Sequence, residues 1–221
     1  MRVVKYDEAI RNHSTSRRQF IQTALTLPIL LALPILSHAA SRIHAIDGQV
    51  FINNKLANST TRIKVGDKIT VSHDGKLTFT LGGDAFLLRG GTALELEHSN
   101  NVLIGGLRLL TGGLLAVFEK RKKPLLIHTN VATIGIRGTG VYLSAEPHKL
   151  YTCTCYGETS LAAGNQHERI ISTHHNAHTV GKNAQGVMAM LATEVIDHTD
   201  DELRMLENLV GRKPPFDTEI N

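Results

Sequence analysis

Only two cysteines occur in the 221 residues, so the chain can close at most one disulfide of its own. No low-complexity tract interrupts it. With 42% apolar and 20% charged residues, it has the composition of one ordinary globular domain with appendages. Between residues 41 and 163 no apolar stripe of helix length occurs, which argues against a helical architecture there. The glycine pairs Gly82-Gly83, Gly90-Gly91, Gly105-Gly106 and Gly112-Gly113 are followed by neither Lys-Ser/Thr nor a helix, so none is a phosphate cradle. They read as turns, where a positive φ needs a residue without Cβ.

Net charge is also scarce once the first forty residues are set aside. Arg2, Lys5, Arg11, Arg17 and Arg18 face only Asp7 and Glu8 there, so +3 of the chain's formal +4 belongs to this segment and +1 remains for the rest. Nucleic acid is therefore not an expected partner. The remaining basic cluster, Lys120-Arg121-Lys122-Lys123, reads as a solvated loop.

Residues 1–40 have the order of an export signal. Arg17-Arg18-Gln19-Phe20-Ile21 leads into an apolar run to Leu36, interrupted by Pro28 and Pro34, and Ser37-His38-Ala39-Ala40 supplies small residues for cleavage. The arginine pair followed by an aromatic and an aliphatic residue resembles a twin-arginine signal. Cleavage after Ala39 or Ala40 and a periplasmic location are expected. An uncleaved membrane anchor is the alternative, but the run is short for a span and two prolines weaken it as a helix.

From Ser41 to Ala163 short apolar runs alternate with Gly, Asn and Asp, a period-2 pattern that predicts a mainly β domain of many short strands, jelly-roll or β-helix-like. The expected strands include 68–71, 76–81, 85–88, 101–104, 107–110, 113–118, 140–144 and 150–156. Residues 164–221 read as a C-terminal extension. A return strand, 168–180, pairs back on 150–163 across the turn at Gly164-Asn165. Thr199 and Glu202 have the spacing of a capping box opening a helix over 200–210, which Gly211 and Pro214-Pro215 stop, and a loose tail follows.

Several segments, taken in order, resemble the FecR-type periplasmic domain, named for the regulator of ferric citrate uptake. They are Ala45 to Val50, Val65 to Thr70, Leu107 to Leu115, His128 to Val141 and Cys155 to Glu158, together spanning about residues 43 to 162. The resemblance implies a β fold of short strands, a role in sensing or scaffolding, and no catalytic residues. Its strongest stretch contains Arg137-Gly138-Thr139, where the planar guanidinium of Arg137 is expected to clamp backbone carbonyls or a carboxylate at a turn. Regulators of that type carry an anti-sigma segment before a transmembrane helix. Here about sixteen residues precede the arginine pair, so direct sigma-factor contact is not expected, and the partner would be an envelope protein or a small ligand.

One constellation could carry chemistry. Cys153 and Cys155 stand two apart on a predicted strand and so share a face. If the hairpin turns near Gly164 or Asn165, facing residues sum to about 329. Cys155 then lies opposite His174 or His175, and Cys153 near His178. Thiolates with imidazoles suit one zinc or copper ion. A Cys153–Cys155 disulfide and inert thiols are the alternatives, although Cα atoms two apart on a strand are at the upper limit for a bridge. Two functions follow: a non-enzymatic binding or sensing module in envelope signalling or iron and metal homeostasis, or a purely structural interaction module. A cysteine hydrolase is more remote, since no oxyanion donor or orienting carboxylate can be assigned.

Overall fold

The structure, a computed structural model, describes residues 41–99 and 102–217. The expected export signal, with Arg17 and Arg18, lies outside these residues. The described chain runs through β1 (Ser41–Asp47), β2 (Val50–Ile52), β3 (Lys55–Leu56), β4 (Lys68–Val71), β5 (Lys76–Leu81), β6 (Asp84–Leu88), β7 (Ala93–Ser99) and β8 (Val102–Val117). It continues with β9 (Leu125–His128), β10 (Thr133–Ile136), β11 (Gly140–Ala145), β12 (Lys149–Ala163), β13 (Gln166–Ser172), β14 (Asn176–Lys182), β15 (Met188–Thr193) and α1 (Asp200–Leu209). The mainly β fold expected from the period-2 pattern forms.

The strands make two sheets that share β8 and β12. The first has the order β1-β5-β6-β8-β11-β12-β14-β15 and is antiparallel throughout. The second has the order β3-β2-β4-β7-β8-β9-β10-β12-β13, with β8 and β9 parallel. Residues 164–221 supply β13, β14 and β15 to these sheets, so the C-terminal part of the chain completes both.

Glycine lets the two long strands pass from one sheet to the other. At Gly112 (φ +82°) β8 leaves β7 and joins β11. A Cβ there would sit 2.5 Å from Thr92 Cα, a distance no side chain tolerates. At Gly157 (φ +87°) β12 changes sheets in the same way. The reading of Gly105-Gly106 and Gly112-Gly113 as turns is thereby corrected. Both pairs lie inside β8, and the expected strands 101–104, 107–110 and 113–118 are one. A positive φ can bend a strand without reversing it, and local pattern does not distinguish the two uses. Gly82 (φ +62°) and Gly91 (φ +73°) do occupy turns. Similarly, the return strand 168–180 is two strands, β13 and β14, separated at residues 173–175 and belonging to different sheets.

The middle strands of the first sheet are buried on both faces. Leu77, Phe79, Phe86, Leu88, Leu114, Ala116, Val141 and Leu143 face the main core between the sheets. The alternate residues Ala85, Leu87, Leu115, Val117 and Tyr142 face outward, into a second cluster closed by Leu203 and Leu206 of α1. Burial on both sides explains why β6 reads Ala-Phe-Leu-Leu without alternation. Burying the two helix leucines contributes about 3–6 kcal/mol before ordering costs.

The helix begins where the sequence places it. Glu202 N–H donates to Thr199 Oγ1 and Thr199 N–H donates to Glu202 Oε2, both at 3.3 Å, a complete capping box worth about 1 kcal/mol. Arg89 fixes this end of α1 to the sheet through Nη1 and Nη2 to Glu202 and Nη2 to the Asp197 carbonyl. At the other end buried Glu207 accepts from Tyr156 Oη on β12 and from Arg212 Nε at 2.5 Å.

Candidate metal centre

The site lies on the outer face of the first sheet, beneath the start of α1. Along β12, Thr154 pairs with Val141 and Tyr156 with Gly140, which leaves Cys155 as the extra residue of a β-bulge. Tyr151, Cys153, Cys155 and Tyr156 all enter the outer cluster with Leu203 and Leu206. Both thiols are free and fully buried.

Two histidines meet them. His175 lies between β13 and β14 at φ +52°, where its N–H donates to the Cys155 carbonyl at 2.8 Å. A non-glycine residue in this region costs on the order of 1 kcal/mol. Its Nδ1 is 3.6 Å from Cys153 Sγ. His198 arrives from the segment ahead of α1, directly after Asp197, another residue at positive φ (+60°). Its Nε2 is 3.4 Å from Cys155 Sγ and 3.2 Å from His175 Nδ1. Four ligand atoms, two sulfurs and two imidazole nitrogens, therefore lie within 4.8 Å of one another.

The far nitrogen of each ring is occupied. His198 Nδ1 is 2.7 Å from the Ile196 carbonyl, which can only accept, so this nitrogen carries the hydrogen. His175 Nε2 is 2.8 Å from Asp200 Oδ1 and donates to that carboxylate. In neutral rings both inward nitrogens then present lone pairs. His198 is also stacked on Tyr142, with centroids 4.8 Å apart and planes 23° apart. Tyr151 Oη accepts from Ile196 N–H at 3.1 Å and donates to the Glu194 carbonyl at 3.2 Å, holding the segment that delivers His198. Burial pushes the Tyr151 phenol up to about 12, which keeps it a donor.

Charge is unevenly placed. Hydrogen bonding from Cys155 lowers the Cys153 thiol well below its usual range, while burial raises that of Cys155. The pair thus favours a thiolate on Cys153 and a thiol on Cys155. Burial works to raise the Asp200 carboxyl, but hydrogen bonds and charge from His174 and His175 outweigh it and leave it lowered. Asp200 is therefore an anion facing His175.

Of the five residues expected as ligands, Cys153, Cys155 and His175 converge and two do not join them. His174 is exposed and directs Nε2 to both Asp200 oxygens at 3.0 Å, with its ring against Phe216. His178 stands opposite Thr152, not on the cysteine face, with Nε2 3.8 Å from Glu168 Oε1. The cause is a register change of one. β12 and β13 pair in the expected register, Ala163 with Gln166 and Gly157 with Ser172, but residues 173–175 then face only Cys155 and Tyr156, so Cys153 pairs with Ala177. One residue of slip sends a side chain to the other face of a sheet.

Sequence reasoning missed His198, which lies 43 positions from Cys155 and reaches it only through the docking of α1. The available signal was a histidine immediately before a capping box whose helix has an apolar face. At the Arg137-Gly138-Thr139 stretch the charge of Arg137 acts on the Glu158 carboxylate, and the hydrogen bonds to this residue's backbone come from Thr139. Arg137 is exposed, while buried Thr139 donates through Oγ1 to the Glu158 carbonyl at 2.8 Å and accepts from Glu158 N–H at 3.3 Å.

No family model matches the chain, and no curated protein matches it. Among solved structures it is similar to two crystal structures, at 1.65 Å and 2.50 Å resolution, of a "putative anti-sigma factor" from Parabacteroides distasonis. Each is 17% identical with a TM-score of 0.49, and the match covers 57% of this chain and 60% of that one.

Proposed function

We propose that this protein is an exported, non-enzymatic metal-binding module of the cell envelope, in which Cys153 Sγ, Cys155 Sγ, His175 Nδ1 and His198 Nε2 hold one zinc ion. The observation that carries this reading is that the four atoms lie within 4.8 Å of one another and that three of their six separations have the lengths of tetrahedral edges. Zinc bonds of about 2.3 Å to sulfur and about 2.0–2.1 Å to nitrogen give tetrahedral edges of about 3.3 Å between nitrogens and about 3.5–3.6 Å between sulfur and nitrogen. The corresponding separations are 3.2 Å for His198–His175, 3.6 Å for Cys153–His175 and 3.4 Å for Cys155–His198.

The surroundings support the same reading. Metal-bound histidines donate their other ring nitrogen to a carboxylate or a backbone carbonyl, and here Asp200 and Ile196 accept those bonds. Two thiolates neutralise Zn²⁺, whereas Cu⁺ would leave a net negative charge in a buried pocket. Four protein ligands under α1 make a closed site, the pattern of structural and sensory zinc, since catalytic zinc keeps a position open. The twin-arginine-like leader and the resemblance of residues 43–162 to FecR-type domains support an envelope role in sensing, with an envelope protein or small ligand as partner.

Elemental analysis of the natively exported protein, with a parallel free-thiol count, tests this. About one equivalent of zinc is expected, lost on His198→Ala or on joint Cys153→Ser and Cys155→Ser, and kept on His178→Ala. One equivalent of copper would correct the metal. A protein with neither metal nor free thiols would overturn the proposal in favour of a disulfide.

A further inference from the structure

The three ligands Cys153, Cys155 and His175 belong to β12 and the β13–β14 turn, whereas His198 comes from the segment that leads from β15 into α1. Asp200, which orients His175, is the first residue of that helix. A metal ion at this point is therefore bonded on one side to the sheet and on the other to the C-terminal strap. Resting on the metal-binding reading above, we propose that the ion is the latch of a C-terminal strap, residues 194–217. Loading docks α1 against the outer face of the first sheet, and removal releases it while the two-sheet body stays folded.

Two features make the strap separable. Its apolar contacts form a cluster of their own, with Leu203 and Leu206 set against Leu87, Leu115, Val117 and Tyr142, while the residues between the sheets form a distinct core. The segment that delivers His198 also has little apolar anchorage, with Val195 and Ile196 44% and 47% exposed.

Two polar fastenings stand beside the apolar cluster: buried Glu207 accepts from Tyr156 Oη on β12 and from Arg212, which also bonds the Gly83 carbonyl through Nη1, and Arg89 grips Glu202. Arg89–Glu202 is partly exposed at both ends, with 27% and 21% side-chain exposure, and such a pair changes an equilibrium by a few-fold. Structural zinc changes folding equilibria by many powers of ten. With the ion removed, His175 Nδ1 and His198 Nε2, 3.2 Å apart, no longer share a cation that bonds the sheet to the strap. Metal occupancy would in this way decide whether an ordered C-terminal helix covers the sheet.

Hydrogen exchange read by mass spectrometry, with and without a strong chelator and with metal content measured on the same samples, tests the latch. With zinc bound, amides of residues 200–209 are expected to exchange at least 30-fold more slowly than after chelation, while those of β5, β6 and β11 change less than threefold. Because coupling is reciprocal, Leu206→Ala, which loosens α1 and replaces no ligand, should weaken zinc binding at least tenfold. Stoichiometric zinc with unchanged exchange in α1 would overturn the latch and leave the metal site standing. Protection lost equally from α1 and the sheets would also overturn it, making the ion a staple of the whole fold. No zinc at all would overturn both.

Discussion

His198 Nε2 and His175 Nδ1 face each other at 3.2 Å while their opposite ring nitrogens are bonded to the Ile196 carbonyl and the Asp200 carboxylate. Two neutral imidazoles oriented in this way repel each other unless a proton or a cation lies between them. With Cys153 and Cys155 completing the group, a metal cation satisfies all four inward atoms together.

The role of Asp200 is separable from ligation. Asp200→Asn keeps a neutral acceptor at the N-terminus of α1 and removes the charge that fixes the His175 ring, so zinc affinity is expected to fall about 10- to 100-fold with the stoichiometry unchanged. Competition with a chromophoric chelator measures this.

Glu202 gives a dependence on pH away from the ligands. Burial works to raise its carboxyl, but the hydrogen bonds and charge of Arg89 outweigh this and leave it lowered. A lowered carboxyl contributes stability above its unfolded value of about 4.5 and loses it as pH falls through the folded value. Glu202→Gln preserves the capping box and should reduce stability by about 1 kcal/mol or less near neutrality, because the pair is partly exposed. In melting curves from pH 3 to 7, the gap between the variant and the parent is expected to close toward pH 3.

The sheet-crossing glycines should not tolerate a side chain. At Gly112 and at Gly157 a Cβ would lie 2.5 Å from Thr92 Cα and 2.8 Å from the Gly138 carbonyl, respectively, and both have positive φ. Each Gly→Ala change is expected to cost about 2–4 kcal/mol, read as a fall in the denaturant midpoint. Gly211, also at positive φ (+71°) but with nothing near a Cβ, should lose only about 1 kcal/mol.

Asp84 is buried at 1% side-chain exposure and bonded by Arg121 Nη2 at 2.5 Å. Burial raises its carboxyl despite the arginine, so the guanidinium is what keeps an otherwise costly anion in place. Arg121→Ala is expected to destabilise the fold by about 3–5 kcal/mol. Adding Asp84→Asn to it should recover part of that loss in equilibrium unfolding.

The fold was more legible than the site. Strands β4 and β5 and the capping-box helix follow from local alternation and cap spacing, which depend on near neighbours. The bend at Gly112 did not, because a positive φ serves a turn and a sheet crossing alike. The cysteine face followed from the two-residue period of β12, but residues 173–175 face only Cys155 and Tyr156, and this one extra residue shifted β14 and took His178 away from that face. His198 depends on the packing of Leu203 and Leu206 against Leu87 and Leu115, a tertiary contact that strand arithmetic around a hairpin does not contain.

X-ray absorption at the zinc edge of the purified protein tests the proposed centre of Cys153, Cys155, His175 and His198 most directly. Two sulfurs at about 2.3 Å and two nitrogens at about 2.0 Å are expected, with the nitrogen shell changed in His198→Ala and unaltered in His178→Ala. A shell of nitrogen and oxygen alone, or one indifferent to His198, would contradict it.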